Sequence, residues 1–206
     1  MAKNNPINAL IAVTLSALYF VWNNLPNVLT SCRLLLTPLA MILLVRSSAV
    51  SLAGCLLVVV IIEITDFFDG FLARRWKKVS DFGKLYDPYC DVTFHLMMFL
   101  CLASLGILPL WIMAIFLFRE LTVWFLRAYC ATSGINLAAR PWGKRKANAQ
   151  TAMLVSVIVA LGANLWGVPL AVDAGLMALS VIFTLAAVAA TLISFGDYVN
   201  YFVKES

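Results

Sequence analysis

Asp66, Asp69, Asp87 and Asp91 are the residues of this chain whose type and spacing point most directly to chemistry. They lie in one charged stretch, TDFFDGFLARRWKKVSDFGKLYDPYCD, residues 65–91. Six of the ten acidic residues fall between Glu63 and Asp91. Asp66 and Asp69 are three apart and Asp87 and Asp91 four apart, so each pair shares one face of a helix. The 17 residues between the pairs are enough for a helix–loop–helix hairpin that turns the two faces toward each other. Four converging carboxylates cannot all stay ionised without a compensating cation. Hard oxygen ligands select Mg²⁺ or Mn²⁺, and four carboxylates suffice for two ions. Such ions beside a bilayer suit phosphate chemistry, where they neutralise charge and clamp the attacking and leaving oxygens. Gly70 and Ala73 leave space for a bulky ligand, and Arg74 offers a cationic fork for a phosphate. An ion pathway and a solvated loop compete with this reading.

The elements that must position these residues are apolar. The chain has 206 residues, 63% of them hydrophobic and 12% charged, with a mean hydropathy of +0.95. A soluble domain has about half apolar and a quarter charged residues. The composition therefore predicts an all-α, polytopic membrane protein. At about 20 residues per span, six segments qualify, near 28–45, 50–64, 91–105, 108–132, 149–166 and 170–195. Residues 7–22 would reach only about 24 Å as a helix, and Tyr19 and Trp22 suit an interface. The expectation is an N-terminal interfacial amphipathic helix within residues 1–25 in preference to a seventh span, then a six-helix domain over 26–206. A cleaved signal peptide is not expected, since NNLPN has no small-residue cleavage site.

Charge orients the spans. Arg74, Arg75, Lys77, Lys78 and Lys84 fall between the second and third, and Arg140, Lys144, Arg145 and Lys146 between the fourth and fifth. With six spans both clusters share a side with the two termini, and the positive-inside rule makes that side cytoplasmic. Basic clusters there attract anionic headgroups, so the net charge of +5 needs no nucleic-acid partner. The five cysteines, Cys32, Cys55, Cys90, Cys101 and Cys130, form no CxxC pair and read as small hydrophobes.

Arg119, Glu120 and Arg127 interrupt the fourth span. Ionisable groups there are candidate functional residues, with an internal Arg119–Glu120 ion pair as the equal alternative. In the loop ARPWGKRKANAQ, Arg140, Lys144 and Lys146 would suit an acceptor that carries its own phosphate, or serve only as a topology signal. His95, four residues after Asp91, reads as a histidine lining a helix, able to orient Asp91. Trp76, Trp142 and Trp166 fit an interfacial belt, and Asp197 and Tyr198 read as C-terminal interface residues. A divalent-cation transporter is the competing class, but transporters place ionisable groups near the midplane on broken helices. Here the acids sit at the cytoplasmic end of a span.

The stretch fits Asp-x2-Asp-Gly-x2-Ala-Arg-x8-Gly-x3-Asp-x3-Asp at every fixed position: Asp66, Asp69, Gly70, Ala73, Arg74, Gly83, Asp87 and Asp91. It resembles the signature of the CDP-alcohol phosphotransferases. Pro26, Asn27, Thr30 and Arg33 are similar to that family's opening motif, and the resemblance covers residues 23–195. It implies transfer of a phosphatidyl group from CDP-diacylglycerol to a polar alcohol with release of CMP, at a bacterial inner membrane, with pairing of two copies as a homodimer. By position, Asp66, Asp69, Asp87 and Asp91 would hold Mg²⁺ or Mn²⁺, and Asp91 would be the general base. Asn27, Asp69, Gly70, Ala73, Arg74 and Gly83 would bind the CDP-lipid. Arg119-Glu120 followed by Gly143-Lys144-x-Lys146-x3-Gln150 is similar to the phosphatidylglycerophosphate synthases. That similarity implies glycerol 3-phosphate as acceptor, bound through Arg119, Arg127, Arg140, Lys144 and Lys146. Val92 stands where a base would pair with that phosphate, which keeps serine, inositol and inositol phosphate as alternatives.

Overall fold

The computed structural model describes residues 25–75, 81–132, 140–163 and 165–205, with side chains for all of these except 25–29, 67–75, 81, 82, 84 and 205. The proposed interfacial helix at the N-terminus therefore lies outside the described residues. Those described are all-helical, with no strand: α1 Leu25–Arg46, α2 Ala49–Arg75, α3 Asp81–Ser104, α4 Leu110–Thr132, α5 Pro141–Ala163 and α6 Leu170–Glu205.

Short connections force antiparallel neighbours. Two residues join α1 to α2, with Ser47 at φ 47°. Ser48 then caps α2 reciprocally: its Oγ accepts from the Ser51 amide at 3.2 Å, and its own amide donates to Ser51 Oγ at 2.8 Å. That is the capping-box arrangement, here with serine in both roles. The turns after α3 and α5 use Gly106 and Gly167 at φ 72° and 73°, where a side chain would be strained.

Two of the expected boundaries move. The fifth helix begins at Pro141, not near Ala149, so Gly143, Lys144 and Lys146 lie on its first turns and not in a loop. Proline is favoured at a first helical position because its missing N–H has no intrahelical partner there. The third helix begins at Asp81, ahead of the expected start near residue 91, so Gly83 is buried on its first turn.

The core runs through the middle of the bundle. Phe94, Phe99 and Leu102 of α3, Phe116 of α4, and Met153, Leu154 and Ile158 of α5 are buried against Leu44, Leu52, Val59 and Ile62 of the first two helices. The outside is as apolar as the inside: Leu35, Val50, Leu110 and Leu170 are largely exposed. An outer surface of this kind is stable in lipid and not in water. Among the described residues, three stretches are long and apolar enough to cross a membrane, Ala49–Asp66, Pro141–Ala163 and Leu170–Lys204. In α3 and α4 the run is broken by Asp87 and Asp91, and by Arg119, Glu120 and Arg127. The protein is an integral membrane protein.

The Trp166 indole donates to the Ala49 carbonyl at 2.9 Å and lies flat on Gly162, where even a methyl group would overlap the ring. Gly162→Ala should therefore cost about 1–3 kcal/mol, a fall of several degrees in the thermal midpoint in detergent. Gly175→Ala, inside α6 with nothing within 4 Å of the added carbon, should not lower it and should raise it slightly, by the helix preference of Ala over Gly.

Candidate active site

Antiparallel packing brings alternate helix ends to one end of the bundle. Thr30 and Arg33 lie early in α1, Asp66 late in α2, Asp87 and Asp91 early in α3, Arg127 late in α4, Lys144 and Lys146 early in α5, and Asp197 and Tyr198 late in α6. A cavity of about 280 Å³ opens among them. Asp66, Asp87 and Asp91 form its acidic side, and Arg119, Arg127, Arg140, Lys144 and Lys146 its basic side. Three of the four carboxylates and all five cations singled out in the sequence thus meet in one space. Asp69 follows Asp66 by three residues on α2, but its side chain is outside the described set, as are those of Asn27, Ala73 and Arg74; Gly70 adds no side chain. Gly83 does not line the cavity.

The acidic side is organised by α1. Arg33, only 1% exposed, forms an ion pair with Asp66 through Nη2 and places Nη1 3.9 Å from Asp91 Oδ1. Thr30 Oγ1 donates to Asp87 Oδ1 at 2.8 Å. One turn of α1 therefore holds one residue for each helix of the hairpin. Asp91 is gripped from its own helix as well: His95 Nδ1–H donates to the Asp91 carbonyl oxygen at 2.9 Å and lies 3.3 Å from Oδ1. On the ring's far side Nε2 is 3.0 Å from Thr151 Oγ1, which reaches Glu63 Oε1 at 3.2 Å. His95 is thus a helix-lining histidine that also orients Asp91.

The donor set of this side is all carboxylate oxygen, the ligand chemistry that Mg²⁺ and Mn²⁺ take. Among the described residues no three acidic, histidine or cysteine side chains close on a single point, and Arg33 bridges Asp66 and Asp91. The chemistry of the wall fits a divalent cation.

The basic side is a network of compensated charges. Glu120 accepts from Arg119 Nη1 at 2.9 and 3.0 Å and from Lys146 Nζ at 2.6 Å. All three residues are buried. Arg119 Nη2 also donates to Ser194 Oγ at 2.7 Å. Of the alternatives posed by the sequence, the structure shows the internal ion pair, which links α4, α5 and α6 beside the cavity. Arg140 makes a two-pronged bond to Asp197 at 2.6 and 2.9 Å, which raises its guanidinium further above its ordinary range.

Arg33, Thr30, Asp197 and Tyr198 were not assigned site roles from the sequence. The last two, read from the sequence as C-terminal interface residues, lie at the cavity end, where Tyr198 is 1% exposed and Asp197 pairs with Arg140. The available signal was an Asp–Tyr pair continuing an otherwise apolar helix of 36 residues, and a lone arginine inside the first span.

With that geometry in view, comparison with known proteins is informative. The CDP-alcohol phosphatidyltransferase family pattern matches residues 23–193. A Treponema pallidum protein named CDP-diacylglycerol–glycerol-3-phosphate 3-phosphatidyltransferase is 37% identical over 111 residues, 53% of this chain and about half, 51%, of that one. A probable phosphatidylglycerophosphate synthase of Mycobacterium tuberculosis is 32% identical over 185 residues, 88% of this chain and 83% of its own. A Streptomyces coelicolor cardiolipin synthase (CMP-forming) is 37% identical over 99 residues, 47% and 46% of the two chains.

Removing the shared carboxylate tests the network. Glu120→Gln leaves two buried cations facing each other, and should destabilise by about 3–5 kcal/mol in thermal or denaturant unfolding in detergent. Adding Lys146→Met should recover part of that loss. An unchanged midpoint in the single variant would mean that the triad does not hold the helices.

Proposed function

The chain belongs to the CDP-alcohol phosphatidyltransferase family, and from that premise we propose that it transfers the phosphatidyl group of CDP-diacylglycerol to glycerol 3-phosphate, releasing CMP and forming phosphatidylglycerol phosphate. One observation carries this reading. Three aspartates of the charged stretch and five cations, two of them sharing Glu120, line the same cavity. The reaction needs a carboxylate-lined place for a metal-neutralised pyrophosphate, and a cationic place for an acceptor that is itself a phosphate. Both substrates fit at one end of the bundle, where a lipid donor keeps its tails in the bilayer and its pyrophosphate at the interface.

In the proposed mechanism Asp66, Asp69, Asp87 and Asp91 hold Mg²⁺ or Mn²⁺. When bound, these ions supply positive charge against the pyrophosphate and the departing CMP. Asn27, Asp69, Gly70, Ala73, Arg74 and Gly83 cradle the cytidine and pyrophosphate. Arg119, Arg127, Arg140, Lys144 and Lys146 draw in the acceptor phosphate. The acceptor hydroxyl oxygen bonds to the phosphatidyl phosphorus, the bond from that phosphorus to the CMP oxygen breaks, and the proton passes to the Asp91 carboxylate. His95 and Arg33 act through Asp91, fixing its rotamer toward the cavity.

The finer placement belongs to the same proposal. It has six spans over residues 26–206, an interfacial helix before them, and a cavity end and both termini facing the cytoplasm of a bacterial inner membrane. Two copies would pair as a homodimer. The acceptor preference rests on charge: the cations of the basic side outnumber its carboxylates, which favours a phosphate dianion over serine or inositol.

The test is CMP release from CDP-diacylglycerol by the purified full chain with Mg²⁺ or Mn²⁺. Separate arms hold glycerol 3-phosphate, phosphatidylglycerol, serine, inositol and inositol phosphate. Release should require glycerol 3-phosphate, stop with a chelator, return with either ion, and fall by about 10²–10⁴ in Asp91→Asn. Release that needs a different acceptor reassigns the substrate. Release that survives in Asp91→Asn removes the general base.

A further inference from the structure

The basic side has a member that none of these roles uses. Tyr198 of α6 lines the cavity although almost none of it is exposed. Its hydroxyl oxygen accepts from Arg127 Nη2 at 2.5 Å and from the Arg140 backbone amide at 3.3 Å. A phenol both accepts and donates; both of these bonds are accepted ones, so its hydrogen is left to donate. Gly143, which also lines the cavity, presents no side chain to this oxygen: an added methyl would come to 3.5 Å of it. Two cations approach the ring, with the Arg119 and Arg127 guanidinium carbons each 5.3 Å from its centroid.

Charge says what the hydrogen is for. Of the five cations, Arg119 and Lys146 share Glu120, and Arg140 takes Asp197. Arg127 meets the neutral phenol and has no carboxylate partner among the described residues, and its Nε is buried without a hydrogen-bond partner. Five formal positive charges against two negative leave a surplus of three beside an O–H donor. Among the described residues no further carboxylate on this wall supplies the matching anion.

We infer that Tyr198 is an acceptor-binding residue: its hydroxyl donates to an anionic oxygen of the acceptor's phosphate while its oxygen and ring hold Arg127 beside the same group. This rests on the proposal that a phosphate-bearing alcohol enters the basic side. The geometry gives Tyr198 two simultaneous tasks, donor to the ligand and anchor for the cation. An ordinary helix-packing tyrosine would have neither an available hydrogen nor a cavity to aim it into.

Tyr198→Phe removes the hydroxyl and keeps the ring. Initial rates of CMP release by the full chain, with Mg²⁺ and CDP-diacylglycerol, should show the KM for glycerol 3-phosphate rising about tenfold or more, as expected for loss of a hydrogen bond to a charged group. The kcat and the KM for CDP-diacylglycerol should stay within about twofold. A lower thermal midpoint with an unchanged acceptor KM would overturn the inference and leave Tyr198 a packing residue. Equal rises in both substrates' KM would overturn it too. If the unsubstituted protein releases no CMP with glycerol 3-phosphate, the proposed function fails, and thermal stabilisation by inorganic phosphate decides this point instead. Stabilisation lost in Tyr198→Phe supports the inference, and stabilisation that is absent from both proteins or equal in both refutes it.

Discussion

Arg33 is a guanidinium almost wholly removed from solvent, and the arrangement of the acidic side depends on how its charge is met. Transferring a cation that size into a low-dielectric interior is prohibitive unless carboxylates meet it. Asp66 and Asp91, on two different helices, both do. Their pairing with one arginine of α1 fixes the hairpin of α2 and α3 against α1 and turns its carboxylates into a common cavity. Thr30, one turn before Arg33, fixes Asp87 in the same way. The price of holding several negative groups together is thus met partly inside the protein, and a divalent cation drawn to the cavity would meet the rest.

The basic side solves the same problem with the opposite sign and less completely. Glu120 compensates Arg119 and Lys146, and Asp197 compensates Arg140, but Arg127 rests against a phenol. An uncompensated cation in a partly enclosed cavity attracts anions more strongly than one on an open surface, because screening by water and salt is weaker there. Under the proposed function, a lipid-anchored pyrophosphate and a soluble phosphate would meet different halves of one space, which would keep two mutually repelling substrates close enough to react.

Much of this was legible in the sequence for a physical reason: carboxylates are costly in an apolar chain, so their spacing survives as a pattern even without a structure. Asp66, Asp87, Asp91 and the five cations were readable that way, as was the all-helical class. Less legible were residues whose role comes from tertiary proximity. Arg33 looks like any base near the start of a span until Asp66, 33 positions away, is folded onto it. Tyr198 and Asp197 lie 71 and 57 positions from Arg127 and Arg140, and an aromatic near a helix end has an interfacial explanation by default. The start of α5 is hidden in the sequence because a charged run reads as loop, whereas Pro141 begins the helix and puts the charges on its face.

The most direct test is metal binding itself, read by electron paramagnetic resonance as Mn²⁺ is titrated into the purified full chain, unsubstituted and as Asp87→Asn. Asp87 touches Thr30 and is not part of the Arg33 pairing described above, so its loss removes a ligand with little disturbance of that pairing. Saturable binding that weakens at least about tenfold in Asp87→Asn, the usual consequence of losing a ligand-shell group, is the expected result. Binding of equal strength in both proteins, or none in either, would contradict a metal centre on the acidic side and with it the proposed chemistry.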